Sequence, residues 1–350
     1  MAEIEYRLAN LDDDSRINRF LASINMESDI EISYRKEPSF FNALSTRGTE
    51  HQVLICEVDH KISAIGVRSL TQNYINGKKE IIGYLSDLKV NSKNRKFKIF
   101  TEGYSFFKNL MLDNRTKLHT TTIIEDNKKA KAVLTWKNKS SILPNYYDFG
   151  RLTTYFILPF FKKNKKFLYS LRTGNIDNID AIVEFLNKEG SKKQFYPVYT
   201  KDYFLNLCGF NLSDFLIAYK DNEIVGVMAN WNQSDFKQVI MQKYNNKAKF
   251  LKYLPFLPKE NQEIKFSYLS FFAVKDNNSK IFECLLTYIH KTTKKPLSIC
   301  LHEKDNLNSV FTKYFKICYQ SRLYIADYKS DEEIKNMVDD RIPYVELGVL

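Results

Sequence analysis

The sequence predicts an α/β (α+β) fold built from two consecutive copies of one unit, each a mixed, mostly antiparallel β-sheet flanked by helices. Three patterns predict it: amphipathic helices, hairpins and a Tyr-Leu-Ser strand each occur twice, in the same order, in a chain of 350 residues. A chain of this length has room for two domains that each bury their own core. We place the domains at residues 1–160 and 167–330, and a C-terminal tail at 331–350.

The amphipathic helices come early in each copy. Apolar residues at i, i+3, i+4 and i+7 predict one buried helix face. These residues are Ile17, Phe20, Leu21 and Ile24 in the first copy and, 162 positions later, Ile179, Ile182, Val183 and Leu186 in the second. The constant separation indicates that one helix is a copy of the other.

Hairpins and strands repeat in the same order. Two apolar strands join at Asp59-His60 in the first copy and at Asp221-Asn222 in the second, and both pairs favour tight turns. Further on, Tyr84-Leu85-Ser86 recurs as Tyr268-Leu269-Ser270, and a helix and another strand follow in both copies. Six such matches keep one order, with separations between 162 and 184 positions, which indicates an internal duplication.

The order of these elements resembles the GCN5-related N-acetyltransferase (GNAT) fold, once per half. The family's unit runs through a strand, one or two helices, a three-strand meander, a helix, a strand and another helix. The stretch Ser86–Val90, SDLKV, is similar to the Asp-Leu-x-Val that ends the family's fourth strand. In the family, the pyrophosphate loop R/Q-x-x-G-x-G/A follows, and Arg95 stands at its first position here.

The resemblance implies acetyl-CoA or another acyl-CoA as co-substrate, bound mainly by the first copy. The residues that it assigns to the cofactor are Leu88, Val90, Arg95, Lys96, Phe97, Lys98, Ile99, Phe100 and Asn127. Lys98 and Phe100 hold the loop's two glycine positions, where the absence of a Cβ lets backbone N–H groups approach phosphate. Lys98 offers charge in place of close approach, and an ordinary basic turn is the alternative interpretation. The second copy has Ser279 at the first loop position, one cation and no glycine, so we expect it to be the weaker site.

The resemblance also implies transfer of an acyl group from CoA to an amine of a small molecule or a peptide. In the family, a backbone N–H of the fourth strand, here near Leu88, polarises the thioester carbonyl. We expect Asp87 to bind or deprotonate the amine, and a satisfied polar side chain within a strand is the alternative interpretation. Strand alternation places Tyr84 and Ser86 on one face with Leu88, where they would line the cleft.

Two other functions are compatible with these patterns. Family members often carry a tyrosine that protonates the leaving thiolate, but its positions hold Leu134 and Thr312 here, which favours a catalytically silent CoA- or ligand-binding module. Peptidoglycan aminoacyl-transferases also pair two such units and use aminoacyl-tRNA, and the net charge of +12 suits that RNA donor. Nucleic acid is an expected partner only under this second alternative.

The composition of the chain predicts where the protein is located and whether it binds a metal. No stretch approaches the roughly 18 apolar residues of a membrane span, and the acidic N-terminus is unlike a secretory signal. The five cysteines show no CxxC spacing, so we expect a cytoplasmic protein with reduced thiols. The five histidines are not spaced as metal ligands, so no metal is expected.

Overall fold

The computed structural model describes residues 3–24, 30–48, 50–91, 97–136, 142–160, 168–245 and 258–350. The strands are β1 (Ile4–Leu8), β2 (Ile30–Arg35), β3 (Glu50–Val58), β4 (Lys61–Ile75), β5 (Lys78–Val90), β6 (His119–Ile124), β7 (Asn145–Ile157), β8 (Ser170–Thr173), β9 (Phe215–Lys220), β10 (Glu223–Trp231), β11 (Gln238–Tyr244), β12 (Ser267–Val274), β13 (Leu297–His302) and β14 (Lys316–Asp327). The α-helices are α1 (Asp14–Ala22), α2 (Phe40–Leu44), α3 (Phe97–Met111), α4 (Lys128–Leu134), α5 (Ile179–Gly190), α6 (Lys201–Leu205), α7 (Ser279–Thr292) and α8 (Asp331–Met337).

Twelve strands form one continuous sheet in the order β1-β3-β4-β5-β6-β14-β7-β13-β12-β10-β9-β8. We call the elements β1 to β7 the first repeat and β8 to β14 the second repeat. From each edge inward the order is the same, because β8, β9, β10, β12 and β13 match β1, β3, β4, β5 and β6. The last strands are exchanged: β14 lies beside β6, β7 lies beside β13, and β7 and β14 pair at the centre. The two repeats therefore share one sheet, and a separate two-stranded ribbon, β2 with β11, also joins them.

The predicted hairpin turns are confirmed. Asp59-His60 and Asp221-Asn222 all have positive φ, between 48° and 62°, as a type I′ turn requires at its two central residues. The pairing registers repeat as well, since Leu54 in β3 and Leu216 in β9 occupy matching positions opposite β4 and β10. The internal duplication predicted from the sequence is therefore present in the strand pairing.

The predicted helix faces are buried. On α1, Ile17, Phe20 and Leu21 pack into a core with β3 and β4. The helix ends at Ala22, so Ile24 lies just beyond it and is only partly buried. On α5, three of the four predicted residues are fully buried and the fourth packs at the margin of the core; they are Ile179, Ile182 and Leu186, and Val183.

The C-terminal tail packs against both repeats. Ile334 of α8 is fully buried, and Tyr344 and Leu347 are 4% and 8% exposed. A 3-10 turn over Leu347–Val349 lies on β12 and β13. Within the described ranges, no helix has both the length and the apolar character needed to cross a bilayer.

Candidate functional site

A wedge opens in the sheet of each repeat. Within the described strands, β5 and β6 are parallel neighbours only at Gly83–His119 and Tyr84–Thr120, after which they part. Likewise, β12 and β13 pair only at Ser267–Leu297 and Tyr268–Ser298. Each wedge therefore begins at the tyrosine of the repeated Tyr-Leu-Ser stretch.

A β-bulge lies in one wall of each wedge. On β5, Asp87 and Leu88 together face the single residue Gly66 of β4. The same irregularity lies 184 positions later on β12, at Phe271. Asp87 and Phe271 have φ of 52° and 50°, a conformation that is uncommon for residues other than glycine. Because the same uncommon conformation recurs at one place in both repeats, the bulge is a feature of the duplicated unit.

The bulge changes which side chains share a face. Strand alternation predicted that the side chains of Ser86 and Leu88 lie on one face of the sheet. In the structure, Ser86 shares a face with Asp87, because the Arg47 guanidinium contacts both side chains. Its Nη1 donates to Ser86 Oγ and to Asp87 Oδ2, at 2.6 Å in each case. A Cβ added to Gly66 would lie 3.8 Å from Leu88, on the side of the sheet that α3 covers. Leu88 therefore lies on the opposite face, because the positive φ at Asp87 interrupts the alternation.

Two buried cations hold Asp87. Lys36, directly after β2, donates from Nζ to Asp87 Oδ2 at 2.8 Å, and Arg47 bonds the same oxygen. Arg47 lies in the 3-10 turn that follows α2, a short helix capped by the Ser39 hydroxyl, which accepts from the Asn42 N–H at 3.1 Å. The side chains of Lys36, Arg47 and Asp87 are 6%, 7% and 15% exposed. At this depth each charge depends on its partners, so the three side chains act as one unit.

This arrangement shifts the pKa values of the partners. Burial opposes ionisation of Asp87, but the nearby Lys36 and Arg47 outweigh it and hold the pKa of Asp87 well below its usual range. Burial lowers the pKa of Lys36 to about 8, against the opposite effect of the Asp87 charge. A carboxylate with so low a pKa is a weak base, which favours an orienting role over proton removal. The catalytic role of Asp87 stays a prediction.

The second repeat and the tail complete this side of the wedge. Lys237, directly before β11, donates from Nζ to the Leu350 carbonyl oxygen and lies 5.2 Å from the centroid of the Tyr268 ring. Arg47 Nε donates to the Val349 carbonyl oxygen at 2.7 Å. Burial, and then the Arg47 charge, lower the pKa of Lys237 well below its usual value. Basic side chains from both repeats therefore contact the end of the tail, beside the bulge.

The structure brings the three predicted catalytic residues together and adds three that sequence reasoning missed. The Tyr84 hydroxyl lies 2.9 Å from Thr122 Oγ1 on β6, so it bridges the narrow end of the wedge. Burial raises the pKa of Tyr84, which keeps its proton in place. The residues missed are Lys36, Arg47 and Lys237. No motif marks them among 53 lysines and arginines, and only the fold brings their segments together.

Part of the predicted cofactor loop lies outside the described residues. The predictions concerned are Arg95 and Lys96, and the side chains of Phe97 and Lys98. α3 begins at the end of this loop, and Ile99 in its first turn is 3% exposed. The Phe100 ring lies 4.8 Å from the Tyr104 ring, so it packs as an apolar helix residue. Val90 pairs with Ala64 at the end of β5.

Asn127 and Leu134 belong to α4. Asn127 Oδ1 accepts from the Ala130 N–H at 3.1 Å, so Asn127 caps the helix. Leu134 is buried in an apolar cluster with Tyr104 and Tyr324. The position at which the family often has a tyrosine acid therefore serves packing here, and a contact between Asn127 and CoA stays a prediction.

The tail fills the second wedge. The Phe271 N–H, equivalent to that of Asp87, donates to Glu346 Oε2 at 2.7 Å. The Tyr344 hydroxyl and the Gly348 N–H donate to the same carboxylate at 2.6 and 3.1 Å. Glu346 is 4% exposed, and burial raises its pKa. In the first repeat, no side chain of a described residue accepts from the Asp87 N–H.

The part of the chain that the structure describes has no cluster of side chains that could bind a metal ion. No group of three or more His, Cys, Asp and Glu side chains is arranged there as a metal site. The buried histidines instead contact protein groups: His119 Nε2 lies 3.0 Å from Arg68 Nε, and His290 and His302 each reach a backbone carbonyl.

Comparisons with known proteins show the fold. No protein-family model matches the sequence, and no curated protein matches it significantly. Among solved structures, the chain is similar to N-myristoyltransferase of Saccharomyces cerevisiae with bound myristoyl-CoA. That similarity has a TM-score of 0.60 at 12% identity and covers 94% of this chain and 84% of that one.

Two further structures are named as GCN5-related acetyltransferases. One is a glucosamine N-acetyltransferase region in a fungal multi-domain β-N-acetylglucosaminidase, with a TM-score of 0.64 at 10% identity, covering 93% of this chain and 38% of that one. The other, from Anabaena variabilis, has a TM-score of 0.55 at 7% identity, with 93% and 73% covered. At these identities the similarity shows the fold alone. The predicted α/β (α+β) fold with two GNAT-like units in tandem is confirmed.

Proposed function

We propose that this protein is an N-acyltransferase that moves an acetyl or other acyl group from acyl-CoA to an amine, with the first repeat as its acyl-CoA site. The acceptor is a small molecule or a peptide. The solved structures of similar fold support acyl transfer as the class of reaction, since their names are those of acyltransferases and one holds myristoyl-CoA.

The difference between the two wedges supports this choice of repeat. In the second repeat, the bulge N–H of Phe271 is bound by the buried carboxylate of Glu346. In the first repeat, the equivalent N–H of Asp87 has no described side chain as acceptor. A backbone N–H fixed by the fold and aimed at a developing oxyanion is an effective way to stabilise acyl transfer. This contrast is the observation on which the proposal depends.

The reaction needs few protein groups. The thioester would lie between β5 and β6, with its carbonyl oxygen accepting from the bulge backbone. The amine nitrogen attacks the carbonyl carbon, a C–N bond forms and the C–S bond breaks. The nitrogen gives up its proton to water, and the departing thiolate takes one from water. No tyrosine acid is required at Leu134 or Thr312, because a thiolate is a good leaving group.

The positive charges beside Asp87 would allow the acceptor amine to react without a strong protein base. Asp87 already shares its charge between Lys36 and Arg47. Lys237 lies on the same side, where burial and the charges of Arg47 and Lys36 lower its own pKa well below the usual value. Nearby cations lower the pKa of an incoming amine, so the neutral, nucleophilic form is favoured on binding. The role of Asp87 is then to orient the amine by accepting a hydrogen bond from it.

Isothermal titration with acetyl-CoA tests the proposal. Changing Arg95, Lys96 and Lys98 together to Ala is expected to weaken binding at least tenfold, because charge-assisted phosphate contacts contribute about 1.5–3 kcal/mol each. The matched control is the double change of Ser279 and Lys280 to Ala in the second repeat, where we expect a much smaller effect. Equal losses in both variants would contradict the assignment to the first repeat.

A further inference from the structure

The outer edge of the first repeat carries a closed set of ion pairs. Arg7 on β1 donates to both oxygens of Asp13, at 2.7 and 2.8 Å, and to Glu57 Oε1 at 2.8 Å. Arg16 contacts both acids as well. Asp13 and Glu57 are 3% and 6% exposed. The Arg7 guanidinium therefore has two carboxylate partners within the protein.

The second repeat keeps the arginine and loses one acid on the neighbouring strand. Arg172 on β8 pairs with β9 at the register position that Arg7 on β1 holds with β3. The strand position of Glu57 is occupied by Tyr219, and the same register shift accompanies both residues.

The other acid is lost in the turn before the helix. In the first repeat, the Asn10 N–H donates to the Asp13 carboxylate at 3.1 Å. In the second, the Asn175 N–H donates to Asn178 Oδ1 at 2.8 Å, in the same three-residue arrangement. Asn178 therefore stands in place of Asp13, with an amide instead of a carboxylate. Neither acid that neutralises Arg7 has a charged counterpart beside Arg172.

The Arg172 side chain lines an open pocket. Its guanidinium carbon lies 4.8 Å from the centroid of the Tyr219 ring. Of the residues that the structure describes, none places a carboxylate oxygen within 4.0 Å of the Arg172 nitrogens. A pocket of about 580 Å³ opens here, lined also by Thr173, Asn178 and Tyr288. Asp177 is the acid in the lining, and it is exposed.

We propose that this pocket binds a small organic anion, a carboxylate or a phosphate monoester, through the Arg172 guanidinium. Arginine presents paired N–H donors that match both anions, and stacking on Tyr219 limits its orientations. The volume lies within the range of small-molecule sites. The site goes beyond the proposed acyl transfer, because β8 is at the far edge of the sheet from β1 and outside the wedge at β5.

Isothermal titration of the full chain with phenyl phosphate and with benzoate tests this site. Arg172→Gln is expected to weaken binding of the preferred probe at least tenfold. Tyr219→Glu is expected to do the same, because it restores beside Arg172 the acid that the first repeat has. Asp177→Asn should strengthen binding, since it removes the exposed carboxylate from the lining. Lys220→Gln, an exposed change next to Tyr219, is the control and should leave binding unchanged.

The outcomes separate the two ligand classes and decide the proposal. Tighter binding of phenyl phosphate assigns a phosphate ligand, and tighter binding of benzoate assigns a carboxylate. Equal affinity in wild type and Arg172→Gln, or no binding of either probe to wild type, overturns the site. The probes contain no thioester, so a failure of the acyltransferase proposal would leave this result unaffected.

Discussion

Replacing Arg68 by methionine is expected to lower the free energy of unfolding by about 3–5 kcal/mol, because it removes the buried member of the ion pair with Asp113 and the hydrogen bond to the buried His119. Arg68 is fully buried. It donates to both oxygens of Asp113, at 2.7 and 3.0 Å, and to His119 Nε2 at 3.0 Å. Since His119 begins β6 and pairs with β5 at Gly83, Arg68 ties together the narrow end of the first wedge. Urea unfolding followed by circular dichroism measures the loss.

Arg115 gives the matched control for this change. It binds the same Asp113 at 2.7 Å but is 41% exposed, so Arg115→Met should cost less than about 1 kcal/mol. The hydrogen bond from Arg68 is the main cause that holds the pKa of Asp113 below its ordinary value of 3.8. A depressed carboxyl pKa contributes stability above that ordinary value and loses it as the pH falls further. The difference between wild type and Arg68→Met should therefore shrink below pH 3.8, and equal costs for the two arginines would contradict this account.

Asp87→Asn is expected to lower kcat roughly 100-fold while leaving the affinity for acetyl-CoA unchanged, because the reacting amine would lose the carboxylate that orients it. The amide keeps the size of the side chain but removes the charge that Lys36 and Arg47 hold in place. Steady-state kinetics with an acceptor from a broad amine screen measure the effect, and circular dichroism checks the fold of the variant. Asp276→Asn is the control, because this acid is 74% exposed beside the second repeat's loop.

Two results would count against this role of Asp87. Normal turnover in Asp87→Asn would make the residue a structural partner of the two cations. Acetyl-CoA binding by the wild-type protein, with no amine acylated in the screen, would favour a silent ligand-binding module over an enzyme.

The sequence was informative wherever structure follows from local patterns. The helix faces, the turns at Asp59-His60 and Asp221-Asn222 and the repeated Tyr-Leu-Ser strand depend on spacing and turn chemistry over a few residues. All appear in the structure except that α1 ends before Ile24. The order of these elements was then enough to predict the tandem GNAT-like fold. The exchange of β7 and β14 was not predictable in this way, because either pairing leaves the pattern of each strand unchanged.

The candidate site was predicted only in part, for a physical reason. Asp87, Tyr84 and Ser86 lie on the strand that carries the repeated motif, so sequence similarity led to them. The cations Lys36 and Arg47 reach Asp87 from other segments, and Lys237 comes from the second repeat. Their positions depend on tertiary packing, which leaves no local signal. The bulge at Asp87 was likewise hidden, because strand alternation assumes regular backbone.

The role of Glu346 was also not predictable from the sequence, although its contact with Phe271 is the main difference between the two wedges. Nothing in the stretch YVELGVL indicates that its carboxylate occupies the bulge N–H of Phe271, 75 positions earlier. This one contact gives the bulge N–H of the second repeat a side-chain acceptor, and no described side chain accepts from the equivalent N–H of Asp87 in the first repeat.

A structure of the protein with acetyl-CoA tests the central claim most directly. We expect one molecule per chain between β5 and β6, with its thioester carbonyl beside the Asp87 backbone N–H and with Glu346 still bound to the Phe271 N–H. Acetyl-CoA in the second wedge with Glu346 displaced, or neither wedge occupied at saturating concentration, would contradict it.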